Sequence, residues 1–366
     1  MLFRSRKISD LSTTRISLDT AGAQLTVAST QPALSSDGRF VAYVTAISGA
    51  SQVLLYDVQA AATSTVSQKE GATGTGQTTF SNGNNTEPSI SADGRYVVFT
   101  SAATDLLAAG KDTNGFADIY LRDTVAKLTT RVSVTAKGEE ANKASSKPRI
   151  SSDWNYVVYV SEATNLVSGD VNGVADIFLY NVGNKTTTRV SVSSDGTEAN
   201  GVSSNPFVAK EGAYVTFAST ATNLGSADTN GNADVFVYTK ASGAVERISF
   251  EPGTGTKEQR EAKAATAGGI ADDGRYATLV LLSDKGTKGP TQALSVYQFS
   301  NGRTLKINPS SGTELTFTIA FVAANMSLSG QFIIIQAQNW PLTLRGETIS
   351  AGPQIIRVSN PLYTKK

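Results

Sequence analysis

The sequence predicts an all-β chain made of one four-stranded unit that is repeated along its length. Only 17% of its 366 residues are charged and 32 are glycine, a composition typical of strands and turns rather than of helices. A short turn followed by an aromatic residue recurs at spacings of 56 to 62 residues, without an apolar pattern of helical period. The aromatic residues are Phe40, Tyr96, Tyr156, Tyr214, Tyr276 and Phe332.

Each repeat is interpreted as four strands, called a to d in chain order. In the second repeat these are residues 88–91, 95–100, 118–123 and 130–134. Asp93-Gly94, between strands a and b, is a strong hairpin signal, because glycine adopts a positive φ without a Cβ clash. Long connections are expected between b and c and between d and a, and tight turns between a and b and between c and d. Because strands alternate in direction, all long loops should lie at one end of the sheets.

Four strands per unit at this period are typical of propeller blades. The sequence therefore predicts one domain over residues 1–366, a six-bladed β-propeller with four antiparallel strands per blade. The sixth repeat lacks strand d, and residues 13–18 resemble a spare one. We therefore expect the N-terminal strand to complete the last blade and close the ring. The predicted blades are 31–67, 87–134, 147–192, 205–250, 266–308, and 318–359 with 13–18.

Composition excludes several classes of function. The 32 basic and 31 acidic residues give a net charge of +1, which argues against nucleic acid as a partner. No run of 18 apolar residues predicts membrane insertion, and no apolar segment follows the charged N-terminus as it does in an export signal. Cysteine and histidine are both absent, so zinc sites, thiolate nucleophiles and serine–histidine catalysis are not expected.

The second repeat also carries the motif that identifies a family. Residues 88–99, followed by residues 112–120, resemble the repeat of TolB-like bacterial six-bladed propellers, a WD-like repeat family. The resemblance covers essentially the whole chain as a fold and is sharpest in repeats two to four. It implies an exported interaction module, located in the periplasm, outside the cell or at the cell surface.

The most specific chemical pattern is Asp-x-Asn-Gly-x-x-Asp in the loop between strands b and c. Two carboxylates and an amide oxygen are ligands that Ca²⁺ uses, and glycine allows the sharp turn. The alternative is an Asx turn, in which the same side chains cap loop amides. The sequence thus predicts either calcium or a purely structural turn in repeats two to four. The candidate ligands are Asp112, Asn114, Asp118, Asp170, Asn172, Asp176, Asp228, Asn230 and Asp234.

Two other sets of residues have competing interpretations. Arg131, Arg189 and Arg247 on strand d form either an anion-binding stripe or, as we predict, cross-strand pairs with the carboxylates of strand c. Trp154 and Trp340 either stack on a sugar ring or pack at the rim, which we predict.

The leading functional hypothesis is a non-catalytic binding scaffold that engages a protein or peptide through its loop-rich face. The first alternative is a carbohydrate-binding or adhesive module. The second is a glycan-cleaving enzyme, which would need carboxylates or tyrosine because histidine is absent. Adjacent acids such as Glu139 and Glu140 have no assignable geometry at this stage.

Overall fold

The computed structural model describes residues 4–6, 13–72, 79–225, 228, 231–250, 264–283 and 291–306, together with five later strands. Up to residue 306 the strands are β1 Arg4–Arg6, β2 Thr13–Arg15, β3 Ser29–Leu34, β4 Phe40–Ile47, β5 Ala50–Asp57, β6 Ala62–Thr65, β7 Asn85–Ile90, β8 Tyr96–Ser101, β9 Asp118–Asp123, β10 Leu128–Arg131, β11 Ser145–Ile150, β12 Tyr156–Ser161, β13 Asp176–Asn181, β14 Thr186–Arg189, β15 Ser203–Val208, β16 Tyr214–Ser219, β17 Asp234–Thr239, β18 Ala244–Arg247, β19 Ala264–Ile270, β20 Tyr276–Ser283, β21 Thr291–Gln298 and β22 Arg303–Lys306.

The five later strands are β23 Phe321–Met326, β24 Phe332–Ala337, β25 Leu342–Leu344, β26 Glu347–Ile349 and β27 Gln354–Ser359. A 3-10 turn, Lys210–Gly212, lies between β15 and β16, and no helix among the described residues is long or apolar enough to cross a bilayer.

Five four-stranded antiparallel sheets form from consecutive strands. They are named sheet 1 (β3–β6), sheet 2 (β7–β10), sheet 3 (β11–β14), sheet 4 (β15–β18) and sheet 5 (β19–β22). Strands β23, β24 and β27 form a three-stranded sheet, and β25 and β26 form a hairpin. The all-β prediction with four strands per repeat is therefore confirmed in these five sheets.

The chain divides into two compact units. The first contains residues 1–173 and 178–188, and therefore sheets 1 and 2 and most of sheet 3. The second contains residues 174–177 and 189–366, and therefore sheets 4 and 5.

Within the first unit, the sheets pack face to face through their central strands. Phe99 and Tyr120 of sheet 2 lie in one apolar cluster with Val44 and Leu55 of sheet 1. The opposite face of sheet 2 packs on sheet 3 in a second cluster. Strands b and c are thus buried on both faces, which explains their continuous apolar sequence. Each fully buried aromatic contributes roughly 1.5–3 kcal/mol of hydrophobic stabilisation.

The first strand of each of sheets 1 to 4 contains a bulge just before a proline. Gln31, Glu87, Lys147 and Asn205 have φ between 51° and 56°, and the strand register shifts there. In the first unit, a side chain on the first strand of one sheet accepts a hydrogen bond from the first strand of the next sheet. The Glu87 amide donates to Gln31 Oε1 at 2.6 Å, and the Lys147 amide donates to Glu87 Oε2 at 2.7 Å. These bonds compensate the cost of a non-glycine residue at positive φ.

The predicted pairing of the N-terminal strand with the last blade stays a prediction. Thr13–Arg15 pairs with Arg4–Arg6 in a two-stranded sheet. Next to it, Ile16 is buried with Tyr43 and Tyr56 of sheet 1.

In sheet 2 the long loops share one end, as predicted. In sheet 2, Ser101 pairs with Asp118 at one end and Tyr96 pairs with Asp123 at the other. We call the first the loop end and the second the turn end. At the turn end, Arg95 forms an ion pair with Asp123, with an N–O distance of 2.6 Å. The tight turns are therefore tied together there, and the candidate ligand loops lie at the opposite end.

Candidate functional site

Asp118 is the centre of the ligand loop in sheet 2. It begins β9, and its side chain is completely buried. The Ser133 hydroxyl donates to Oδ1 at 2.5 Å, and the Asn114 side-chain amide donates to Oδ2 at 2.9 Å. Both carboxylate oxygens therefore accept hydrogen bonds from the protein itself.

The guanidinium of Arg131 lies among three carboxylates at this end of the sheet. Its Nη1 atom is 2.6 Å from Glu140, 3.3 Å from Asp118 and 3.7 Å from Asp112. Its Nη2 atom donates to the carbonyl of Lys111 at 2.5 Å. We call Arg131, Asp112, Asp118 and Glu140 the Arg131 cluster. A planar guanidinium suits this role because its donors point in several directions and it stays charged.

Asn114 closes the predicted Asx turn. Its side-chain oxygen accepts from the Phe116 amide at 2.9 Å, so this oxygen faces a loop amide. Its amide group also donates to the Ala141 carbonyl at 3.0 Å. Asp112 accepts from the Tyr120 hydroxyl at 2.5 Å. The structure thus brings together the three predicted ligands of repeat two, and Asn114 makes the side-chain to backbone hydrogen bond of an Asx turn.

Burial and ion pairing shift the carboxyl groups of the cluster in opposite directions. Burial raises the pKa of Asp118, although Ser133, Asn114 and Arg131 oppose it. Glu140 is more accessible. Partial burial raises its pKa, but hydrogen bonds from Thr113 and the contact with Arg131 outweigh it and lower the pKa to about 2. Glu140 therefore stays ionised to lower pH than Asp118 does.

Repeat three has the same arrangement around Arg189. Its Nη1 atom is 3.7 Å from Asp176 and 3.5 Å from Glu198. The Ser191 hydroxyl donates to Asp176 at 2.5 Å. Of the other two predicted ligands in this repeat, Asp170 is buried and Asn172 is half-buried.

Repeat four has a corresponding arrangement around Arg247. The Nη1 atom is 3.6 Å from Asp228 and 3.5 Å from Asp234, and Ser249 donates to Asp234. The predicted ligand Asn230 lies outside the described residues. The prediction that the strand-d arginines pair with strand-c carboxylates is therefore confirmed in all three repeats.

The donor set fits calcium poorly. Ca²⁺ takes six to eight oxygen atoms at about 2.3–2.6 Å. In sheet 2 the oxygens of Asp118 and Asn114 are hydrogen-bonded, and a guanidinium already lies between the carboxylates. Among the described residues, no group of three or more acidic side chains is arranged to hold a metal ion. Calcium in these loops stays a prediction, and the ion would have to displace the arginine.

The loop end is held together by a repeated asparagine–threonine pair. In the first unit, the Asn82 side chain bonds to both the hydroxyl and the amide of Thr104, and Asn142 does the same with Thr164, at 2.9 Å throughout. Each pair joins the loop before strand a to the loop after strand b. In the second unit, Asn200 and Thr222 repeat the arrangement.

Known structures share this fold. No protein-family model matches the chain, and no curated protein matches it in sequence. It is similar to prolyl endopeptidases at 14% identity and a TM-score of 0.56, over 98% of this chain and 47% of theirs. It is also similar to the β-propeller domain of the Trilobed protease from Pyrococcus furiosus at 11% identity and a TM-score of 0.53, over 93% of this chain and 86% of that domain. The chain has a β-propeller fold.

TolB is also among the similar propellers. TolB from Acinetobacter baumannii has 14% identity and a TM-score of 0.44, over 83% of this chain and 59% of TolB. This chain therefore spans about three fifths of TolB and about half of the prolyl endopeptidases. Propellers serve unrelated activities, so the site and not the fold must indicate the function.

Trp154 packs against the neighbouring sheet at the turn between β11 and β12, in agreement with the predicted rim packing. It stacks on Tyr96 with 4.7 Å between ring centroids. Its φ of 58° matches the positive φ of the glycines at the same turn in other repeats. Trp340 lies outside the described residues.

Sequence reasoning missed two features of the site. It did not connect Glu140 and Glu198 to the arginines, although each follows its arginine by nine residues. It also missed the serine two residues after each arginine, which bonds to the strand-c aspartate. In both cases the constant spacing between repeats was the available signal.

We expect Glu140 to contribute to the pH dependence of the protein's thermal stability in acid. Its pKa is lowered to about 2, so the stability that it contributes is present above the unfolded-state pKa of about 4.3 and is lost as the pH falls towards 2. Glu140→Gln should lower the melting temperature at neutral pH and converge with the parent near pH 2, as measured by calorimetry across this range. The exposed neighbour Glu139 provides the control, and Glu139→Gln should reproduce the parent curve. A constant gap between parent and Glu140→Gln at every pH would contradict this expectation.

Proposed function

We propose that this propeller is a non-catalytic binding scaffold that engages a protein or peptide partner through its loop end. The observation that supports this most is the fixed geometry of the loops. Two pairs in the first unit, Asn82 with Thr104 and Asn142 with Thr164, hold neighbouring loops together before any partner arrives. Preorganised loops lose little conformational entropy on binding, which favours recognition.

Exposed apolar residues at the loop end support a protein or peptide as the partner. Phe116 is 43% exposed, and the Asx turn of Asn114 fixes its backbone. Val171, on the corresponding loop of repeat three, is 84% exposed. Exposed aromatic and aliphatic side chains on a rigid frame resemble the apolar anchors of protein interfaces. Export to the periplasm or cell surface belongs to this proposal, because TolB propellers are among the structures of similar fold.

The experiment compares two pairs of exposed apolar residues at opposite ends. Phe116 and Val171 are replaced by serine together at the loop end. Val125 and Leu128, 71% and 59% exposed at the turn end of sheet 2, are replaced by serine together as the control. Purified variants are used to capture partners from extracts of cells that naturally make the protein. The loop-end variant should bind about tenfold more weakly or worse, and the control should bind as the parent does.

The same purified proteins distinguish the proposed function from the two alternative functions. Equal capture by both variants, or loss only in the turn-end variant, would contradict binding through the loop end. Saturable binding to a glycan array, unchanged by partner proteins, would favour the carbohydrate-binding module instead. Cleavage of any arrayed glycan would contradict a non-catalytic role.

A further inference from the structure

We propose that Arg131, Arg189 and Arg247 are the resident cations of the three Asp-x-Asn-Gly-x-x-Asp loops, in the place that a calcium ion would take. The proposal concerns the stability of the loops, and it does not depend on the partner proposed above. It follows from the poor fit of the donor set to Ca²⁺ and from the position of each guanidinium.

The first argument is spatial. In sheet 2, Nη1 of Arg131 lies within 3.7 Å of carboxylate oxygens from Asp112, Asp118 and Glu140. A calcium ion shared by these carboxylates would need their oxygens at about 2.3–2.6 Å. The oxygens of Asp112 and Asp118 lie farther than that from Nη1 of Arg131. The ion and the guanidinium would therefore compete for the same position. Like charges at that distance would also repel each other strongly.

The second argument comes from sheet 1, which lacks the aspartate and the arginine together. Gln52 takes the position of Asp118, because it pairs with Thr45 as Asp118 pairs with Ser101. Thr65 takes the position of Arg131, because it lies opposite Leu54 as Arg131 lies opposite Tyr120. The Gln52 side chain is buried and neutral. Its Oε1 accepts from Ser67 at 2.7 Å and from Asn85 at 3.2 Å.

In sheet 1, both the buried carboxylate and the arginine are thus replaced by neutral residues. Because the buried aspartate and the buried arginine compensate each other, keeping one without the other would leave an unpaired charge. Sheet 1 has a neutral pair at these two positions, whereas sheets 2 to 4 have an aspartate and an arginine that contact each other.

The resident cation makes the loops independent of divalent metal. Arginine stays protonated at every physiological pH and cannot be removed by a chelator. The parent protein should therefore melt at the same temperature in millimolar Ca²⁺ and in chelator. A calcium-dependent rise in melting temperature that is lost in Asp176→Ala would overturn the proposal and support the calcium prediction.

A second measurement uses Arg131→Thr, which introduces the residue of sheet 1. In chelator its melting temperature should fall by roughly 5 °C or more, because Asp118 loses its buried counter-charge. Terbium, an oxygen-seeking analogue of Ca²⁺, should now bind and luminesce through Tyr120, whose hydroxyl bonds to Asp112. The same variant with Tyr120→Phe should lose the luminescence. A parent protein that already shows this luminescence, or an Arg131→Thr variant as stable as the parent in chelator, would overturn the proposal.

The double variant Asp118→Gln with Arg131→Thr tests the same compensation without a carboxylate at position 118. It copies the Gln52 and Thr65 pair of sheet 1 into sheet 2. It should recover more than half of the loss in melting temperature and show no terbium luminescence. A double variant no more stable than Arg131→Thr alone would show that charge compensation is not the role of the arginine and would overturn the proposal.

Discussion

Replacing Asp118 by alanine is expected to lower the free energy of unfolding by about 3–5 kcal/mol, because it removes one partner of a buried ion pair. The carboxylate is completely buried and accepts from Ser133 and Asn114. Without it, these donors lose their acceptor inside the sheet and Arg131 loses one of its carboxylates. Urea unfolding followed by aromatic fluorescence measures the change.

The matched control is Asp93→Ala in the hairpin turn of the same sheet. Asp93 is exposed and accepts from the Ser91 hydroxyl and the Arg95 amide. Water can replace these bonds, so the loss should be at most about 1 kcal/mol. If both variants lose the same amount, the Arg131 cluster does not stabilise the sheet as described.

Replacing Gly94 by alanine should cost about 2–4 kcal/mol, the sum of a left-handed backbone penalty and overpacking. Gly94 has φ +75°, and an added Cβ would lie 2.1 Å from the ring of Phe40 in sheet 1. The contact is near the root of the ring, so Phe40 cannot avoid it by a small rotation. Sheets 1 and 2 would have to separate locally. Thermal unfolding of the variant measures the loss.

Gly38 provides the control at the corresponding turn of sheet 1. Its φ is +71°, but an added Cβ would meet no atom within 4 Å. Gly38→Ala should therefore cost only the backbone penalty of about 1–2 kcal/mol. The difference between the two variants isolates the contact between the sheets. Equal losses would mean that Phe40 relaxes without cost.

The repeat pattern was predictable because each unit encodes its own strands and turns. The Asp-Gly turns have glycine at positive φ in the structure, with Gly38 at +71°, Gly94 at +75° and Gly274 at +63°. Strands b and c are continuous apolar segments that are buried on both faces. These are local properties of backbone conformation and hydrophobicity, so one sequence determines them.

Position 154 shows where local pattern stops being sufficient. The sequence shows only that tryptophan replaces the usual glycine at a turn. The structure retains the positive φ at Trp154 and stacks its ring on Tyr96 from the preceding sheet. Because the neighbouring sheet supplies the compensating contact, the local sequence could not indicate how the strain is accommodated.

By itself, the sequence determined the all-β class, the four-stranded repeat, the separation of long loops from tight turns and the residues of the ligand loops. Only the tertiary structure decided that Arg131 and Glu140 join Asp112 and Asp118, and that Thr13–Arg15 pairs with Arg4–Arg6. The physical reason is the same for both. Charge compensation and strand partners depend on distances between side chains and strands, and these distances exist only after the sheets have formed.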